Sequence, residues 1–189
     1  MAKFIRRYKS TIYGNWRRAV LIDGSVVGVL MSVVMALRDS LSPQPMAAPQ
    51  NIVTDILLLV AVVWFSYQYR RGLPDQKVTL KELLLLGVGI GVVSGIVYGL
   101  WTWFNCSVLN DGLVEHYNQS RIQAMQTAAA DSNTVIPESL EDAVAKVQRY
   151  TAARWGFIAG FRSAVLSVII AFFTAILLRT EKGEIRTKN

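Results

Sequence analysis

Polar and apolar residues do not alternate along most of this chain; they come in blocks. Four long apolar runs stand out, Ala19–Leu37, Ile52–Tyr69, Leu83–Phe104 and Phe157–Leu178, each bounded by charged or turn-forming residues. A helix needs about 20 mostly apolar residues to cross a bilayer. Strands with open edges have no backbone partner in lipid. The pattern therefore predicts an all-α integral membrane four-helix bundle, a single membrane domain over 1–189 with spans at about 19–37, 52–69, 83–104 and 157–178.

The connections differ in kind. RDSLSPQPMAAPQN, residues 38–51, carries three prolines and reads as a short loop. Between spans two and three, Gly72 and Pro74 stop one helix and Thr79 is placed to cap the next. The connection from 105 to 154 is too long for a simple turn. After Asn110-Asp111-Gly112, the positions Val114, Tyr117, Arg121, Met125 and Ala128 share one helical face. Asp131–Thr134 reads as a turn, and Pro137 suits a first helical turn. Leu140, Val144, Val147 and Thr151 form a second stripe, and no glycine or proline occurs between Ser139 and Trp155. The expectation is an extramembrane helical hairpin over about 112–154, its second arm running unbroken into the fourth span.

Composition agrees with lipid as the solvent: 52% of the 189 residues are hydrophobic and only 17% charged. The mean hydropathy is +0.34. The net charge of +7 would suggest nucleic acid in a soluble chain, but its distribution gives another reason. Fourteen of the 20 cations fall in residues 1–18, 70–82 and the tail after Leu178, all on one side of the threading. The positive-inside rule then sets both termini in the cytoplasm, and no nucleic-acid partner is expected. Residues 1–18 also space Phe4, Ile5, Tyr8, Ile12 and Tyr13 like an amphipathic lead-in, though an ordinary topology-setting flank explains the cations as well. Val34-Met35-Ala36 loosely fits a cleavage site, but the run is long for a signal core and three spans follow, so the first helix is expected to be retained. Tyr98, Trp101, Trp103, Phe104, Trp155 and Phe157 gather at the outer boundary of this threading; Trp16, Tyr67 and Tyr69 gather at the inner one.

Within the third span, Gly87, Gly91, Gly95 and Gly99 recur every four residues and form one small-residue stripe. Such stripes let helix backbones approach closely in lipid. Gly24, Gly28 and Ser32 repeat the device in the first span, and Gly156, Gly160 and Ala164, beside Ser163, Ser167, Ala171 and Ala175, in the fourth. The second span is bulkier. The expectation is that spans one, three and four pack closely while span two faces more lipid; a homodimer built on the span-three stripe is the rival. Gly87-Val88-Gly89-Ile90-Gly91 does not read as a dinucleotide loop, because the apolar run continues to Phe104.

Three ionisable residues lie inside spans: Asp23, Asp55 and Arg162. Charges at membrane depth need partners and raise a functional question by default. Counting residues sets Asp23 about one turn from the inner face, Asp55 about one turn from the outer face, and Arg162 about one to two turns below that same face. Asp55 and Arg162 are therefore the expected buried ion pair; snorkelling of Arg162 to the outer headgroups is the alternative. Catalysis has little support. His116 is the only histidine, Cys106 the only cysteine, and no metal-ligand spacing or nucleophile–base set occurs. Cys106 reads either as a small residue at a helix end or as the site of an intermolecular bridge. Asn105-Cys106-Ser107 and Asn118-Gln119-Ser120 match the glycosylation pattern, a match expected by chance. The expectation is no catalytic residue, no metal, no cofactor and no enzyme activity. Instead the chain would act through a protein partner or its own oligomer, with a small transporter gated by Asp55 and Arg162 as the alternative. A membrane enzyme would need a partner chain to complete its site.

The layout resembles DUF4199, a bacterial membrane family of unknown function. The likeness is carried by the glycine-bearing first helix and the polar lead-in Val78-Thr79-Leu80-Lys81-Glu82. It continues through the charged helical segment Gly112–Arg149, the start Arg154-Trp155-Gly156-Phe157 of the last span, and the small-residue run Ala171–Arg179 that ends in a cation. The family's early fourth span often carries an acidic residue where this chain has Arg162, which puts a shared role for that position in doubt. The resemblance implies a bacterial inner membrane and four spans, and it supplies no functional residues.

Overall fold

A computed structural model gives the architecture, and it describes residues 16–41, 52–73, 78–130 and 140–178. The amphipathic lead-in, the proline-bearing loop, Pro74, the Asp131–Thr134 turn, Pro137 and the basic tail lie outside the described residues. Among the described residues there are six α-helices and no strand. They are α1 (Trp16–Leu41), α2 (Ile52–Gly72), α3 (Leu80–Phe104), α4 (Leu113–Ala130), α5 (Leu140–Gln148) and α6 (Ala152–Leu178). Four of them, α1, α2, α3 and α6, are long and apolar enough to cross a membrane. Each helix reaches past its apolar run at one end or both.

Helix α3 starts where the sequence says it should. Thr79 Oγ1 accepts the Glu82 backbone N–H at 3.2 Å, and Glu82 returns a carboxylate oxygen to the Thr79 N–H at 3.1 Å. This reciprocal capping box satisfies two amide donors that the first turn would leave bare. At its other end α3 widens into a π turn, Asn105–Leu109, closed by Asn110 N–H to the Asn105 carbonyl at 2.8 Å.

The centre of the bundle is α3, with α6 on one side and α1 on the other. Half of its most apolar stretch is buried, 50%, against 28% for α2, so α2 is the peripheral helix. Leu58, Val62, Leu86, Ile90 and Tyr98 fill the interior between the helices. Large apolar residues on the outside, Ile52, Phe157, Phe173 and Leu177 among them, are strongly exposed. In water that surface would be a liability; facing lipid it is the expected condition.

The second arm does not run unbroken into the last span. Helix α5 stops at Gln148, and α6 begins afresh at Ala152. The cause is local. Thr151 turns its hydroxyl oxygen to the Arg154 N–H at 3.3 Å while its carbonyl accepts the Trp155 N–H at 3.0 Å. A threonine acting as an N-cap starts a new helix without help from glycine or proline. Beside this break Cys106, Val114 and Trp155 form a second small core, packed by Tyr117 and Tyr150. Trp155 is therefore not a headgroup anchor. It is 3% exposed and meets Tyr117 edge-on at 4.9 Å. The expected face of α4 is the inward one at Val114, which is buried, and at Tyr117, Met125 and Ala128, which are half-buried; Arg121 departs from it, exposed and lying over the Tyr117 ring.

Candidate functional site

The small residues set how the helices are phased. A methyl group added at Gly95 would sit 2.5 Å from the Gly160 carbonyl oxygen, and one at Gly99 would sit 2.7 Å from that of Gly156. At Gly91 it would overlap Ser167, and at Gly87 it would meet Ala171 at 2.6 Å. These pairs run in opposite senses, so α6 is antiparallel to α3. On the other side of α3, Gly24 faces Val93 and Gly28 faces Val97, so α1 is parallel to it. Val62 of α2 reaches Gly87, and Thr54 lies beside Tyr98, which makes α2 antiparallel. One end of the bundle, here called distal, thus collects the ends of α1 and α3 and the starts of α2 and α6.

This phasing brings Arg162 of α6 to Asp55 of α2, 107 residues away in sequence. Arg162 Nη2 donates to Asp55 Oδ2. The guanidinium side chain is 36% exposed and the carboxylate 25%, so the pair sits in the α2–α6 cleft rather than in the sealed core. Asp55 belongs to the first turn of α2, where the helix dipole favours an anion. The other terminal nitrogen of Arg162, Nη1, is buried and has no hydrogen-bond partner among the described residues.

Asp55 and Arg162 meet at one level along their helices. Because α6 begins at Ala152, Arg162 lies ten residues inside it, roughly 15 Å at 1.5 Å per residue. The contacts of Gly95 with Gly160 and Ser163 set Arg162 level with Gly95, near the middle of α3.

Nearer the distal end lies a polar set that the sequence did not reveal. The Tyr98 hydroxyl is buried beside Thr54 and Thr102 without a well-formed hydrogen bond, within the field of Arg38 and Asp39. Arg38 Nη2 donates to Asp39 Oδ1 at 3.3 Å, Asn105 donates to Asp39 Oδ2 at 3.4 Å, and Asn110 donates to Asn105 Oδ1 at 2.9 Å. One signal for it was available: two parallel spans ending in Arg38-Asp39 and Asn105 must bring those residues to the same level.

Asp23 is not part of this site. It lies on the stripe Ala19, Asp23, Val27 and Met31, every member of which is buried. It is 5% exposed, and its Oδ2 has no hydrogen-bond partner among the described residues. His116 is exposed on α4. Asn118 donates to the Tyr150 carbonyl at 3.2 Å, so its amide is engaged in holding α4 to the α5–α6 junction. Cys106 is free and buried, which closes it to a bridge with another chain in this arrangement. Among the described residues no group of three or more His, Cys, Asp or Glu side chains is placed to hold a metal ion. Chemically, the distal cluster holds opposite charges and hydroxyls below one end of an apolar bundle.

No curated protein and no solved structure matches this chain. The family model described as a protein of unknown function, DUF4199, matches residues 22–180, from the first helix through the last. The chain belongs to the DUF4199 family.

Proposed function

We propose that this is a non-catalytic integral protein of the bacterial inner membrane, with both termini cytoplasmic, acting through a protein partner or through self-association. The observation that carries the reading is the filled interior: Leu58, Val62, Leu86 and Ile90 close the bundle axis with side chains at 0% exposure. A closed, tightly phased bundle supports a role exerted at its surfaces. The crowding of cations at the basal end, opposite the distal one, supports the assigned orientation. Helices α4 and α5, joined to each other and to α6 through Asn118 and Tyr150, are then a helical hairpin on the outer side and the natural docking arm. The small-residue contacts of α3 serve to lock the bundle that carries this arm.

Cross-linking in native membranes, followed by purification and identification of the adducts, tests this. A discrete partner or a discrete self-adduct is expected, lost when exposed α4 positions such as Arg121 are changed. A defined activity of the purified chain alone in reconstituted vesicles would overturn it.

A second reading, a small transporter gated by Asp55 and Arg162, has one specific observation in its favour. Arg162 Nη1 is buried without a hydrogen-bond partner among the described residues, so an anion entering the α2–α6 cleft would find a donor there. Solute flux that is unchanged in Asp55→Asn and Arg162→Gln vesicles rejects it.

A further inference from the structure

An apolar groove of about 480 Å³ runs down the lipid-facing side of the α3–α6 contact. Its floor is the backbone at Gly95, Gly99, Gly156 and Gly160, where the two helices touch. On α3 it extends from Val92 to Trp103 and on α6 from Ala153 to Ala164. Either wall is twelve residues, eleven steps or about 16 Å at 1.5 Å per residue. That is close to half of a hydrocarbon core about 30 Å thick, the depth of one leaflet. The groove begins at the distal boundary and stops near the middle.

The α6 wall has a particular order. Arg154, Phe157 and Phe161 follow at helical spacing and share a face. Phe157 and Phe161 are 70% and 60% exposed and stack on each other at 5.8 Å with 12° between their planes. Above them the Arg154 guanidinium lies over the Tyr150 ring, 4.7 Å from its centre. Stacking engages the face of the guanidinium and leaves its in-plane N–H donors for an anion. Arg154 thus stands next to Ala153, at the distal end of an apolar lining.

We infer that this groove seats one acyl chain of a phospholipid with an anionic headgroup, with Arg154 holding the phosphate. Dimensions select the chain over a second protein helix. The exposed Phe157 and Phe161 rings stand along the α6 wall, where a helix about 10 Å across would meet them before reaching the glycine floor, while a thin flexible chain can pass beside them. Charge selects the headgroup, since a cation at the lipid surface favours anionic over zwitterionic lipid by about fivefold. The site adds to the partner reading above and does not depend on it.

Native mass spectrometry of the full chain, titrated with phosphatidylglycerol and with phosphatidylcholine, tests the inference. Saturable retention of one phosphatidylglycerol per chain is expected, preferred about fivefold over phosphatidylcholine. Arg154→Gln should abolish the preference and keep the residual binding. Ala164→Phe, which fills the lower groove, should lower retention of both lipids about tenfold with the melting temperature unchanged. If that variant misfolds, Ile96→Trp fills the groove from the α3 wall and serves the same purpose. Retention that never saturates, or is the same in all variants, overturns the inference. So does a dimer that dissociates on groove filling while lipid retention stays constant.

Discussion

Helices α6 and α2 both lie against the bundle, but they are held in different ways. Along α6 the contact with α3 is backbone to backbone, carbonyl oxygens of Gly156 and Gly160 lying where a side chain on Gly99 or Gly95 would stand. Along α2 it is made by side chains, Leu58 and Val62 inward, and one ion pair ties the first turn of α2 to α6. The first kind of contact has no slack, because neither backbone can rotate away. The second can adjust rotamer by rotamer. In lipid, where apolar faces gain nothing by leaving the solvent, close packing is what holds helices together. The stiff seam is therefore expected to govern stability and the α2 seat to govern adjustment.

Four substitutions probe that contrast. Gly95→Leu drives a side chain into the Gly160 carbonyl and should cost more than about 3 kcal/mol, read as loss of the cooperative melt of the purified chain. Asp55→Ala leaves Arg162 with no carboxylate. The loss should be about 2 kcal/mol, below the 3–5 typical of fully buried pairs, because both groups are partly exposed. Replacing both members by leucine should recover most of it. A silent Asp55→Ala would mean that α2 is held by apolar contacts alone. Thr79→Ala removes the cap of α3 and should cost about 1 kcal/mol, visible in denaturant titration. Gly112→Ala is the control: nothing lies within 4 Å of the added methyl, and the change should stay within about 0.5 kcal/mol. A Gly112 effect as large as that of Gly95 would erase the distinction between seam and surface.

Much of this was legible in the sequence because lipid demands long uninterrupted apolar runs, and runs need no phase information to be seen. The capping role of Thr79 was legible because its partner lies three residues away. What was hidden depends on phase between distant segments. Arg38, Asp39 and Asn105 meet only because α1 and α3 are parallel and end level. The break at Thr151 was hidden for a different reason: a threonine hydroxyl competes with the helix locally and leaves no glycine or proline as a sign. Trp155 was assigned to the headgroup region by residue type; Cys106, Val114 and Tyr117 instead enclose it.

The 107-residue separation between Arg162 and Asp55 also has a meaning in time. A ribosome makes about 5–20 residues per second, so α2 exists for roughly 5–20 s before the arginine that neutralises it is synthesised. Over that interval a carboxylate must wait beside lipid, and the last helix arrives carrying the charge that ends the wait. Bundle closure is thereby tied to completion of the chain, and a nascent protein cut short before α6 would carry an open, acidic flank.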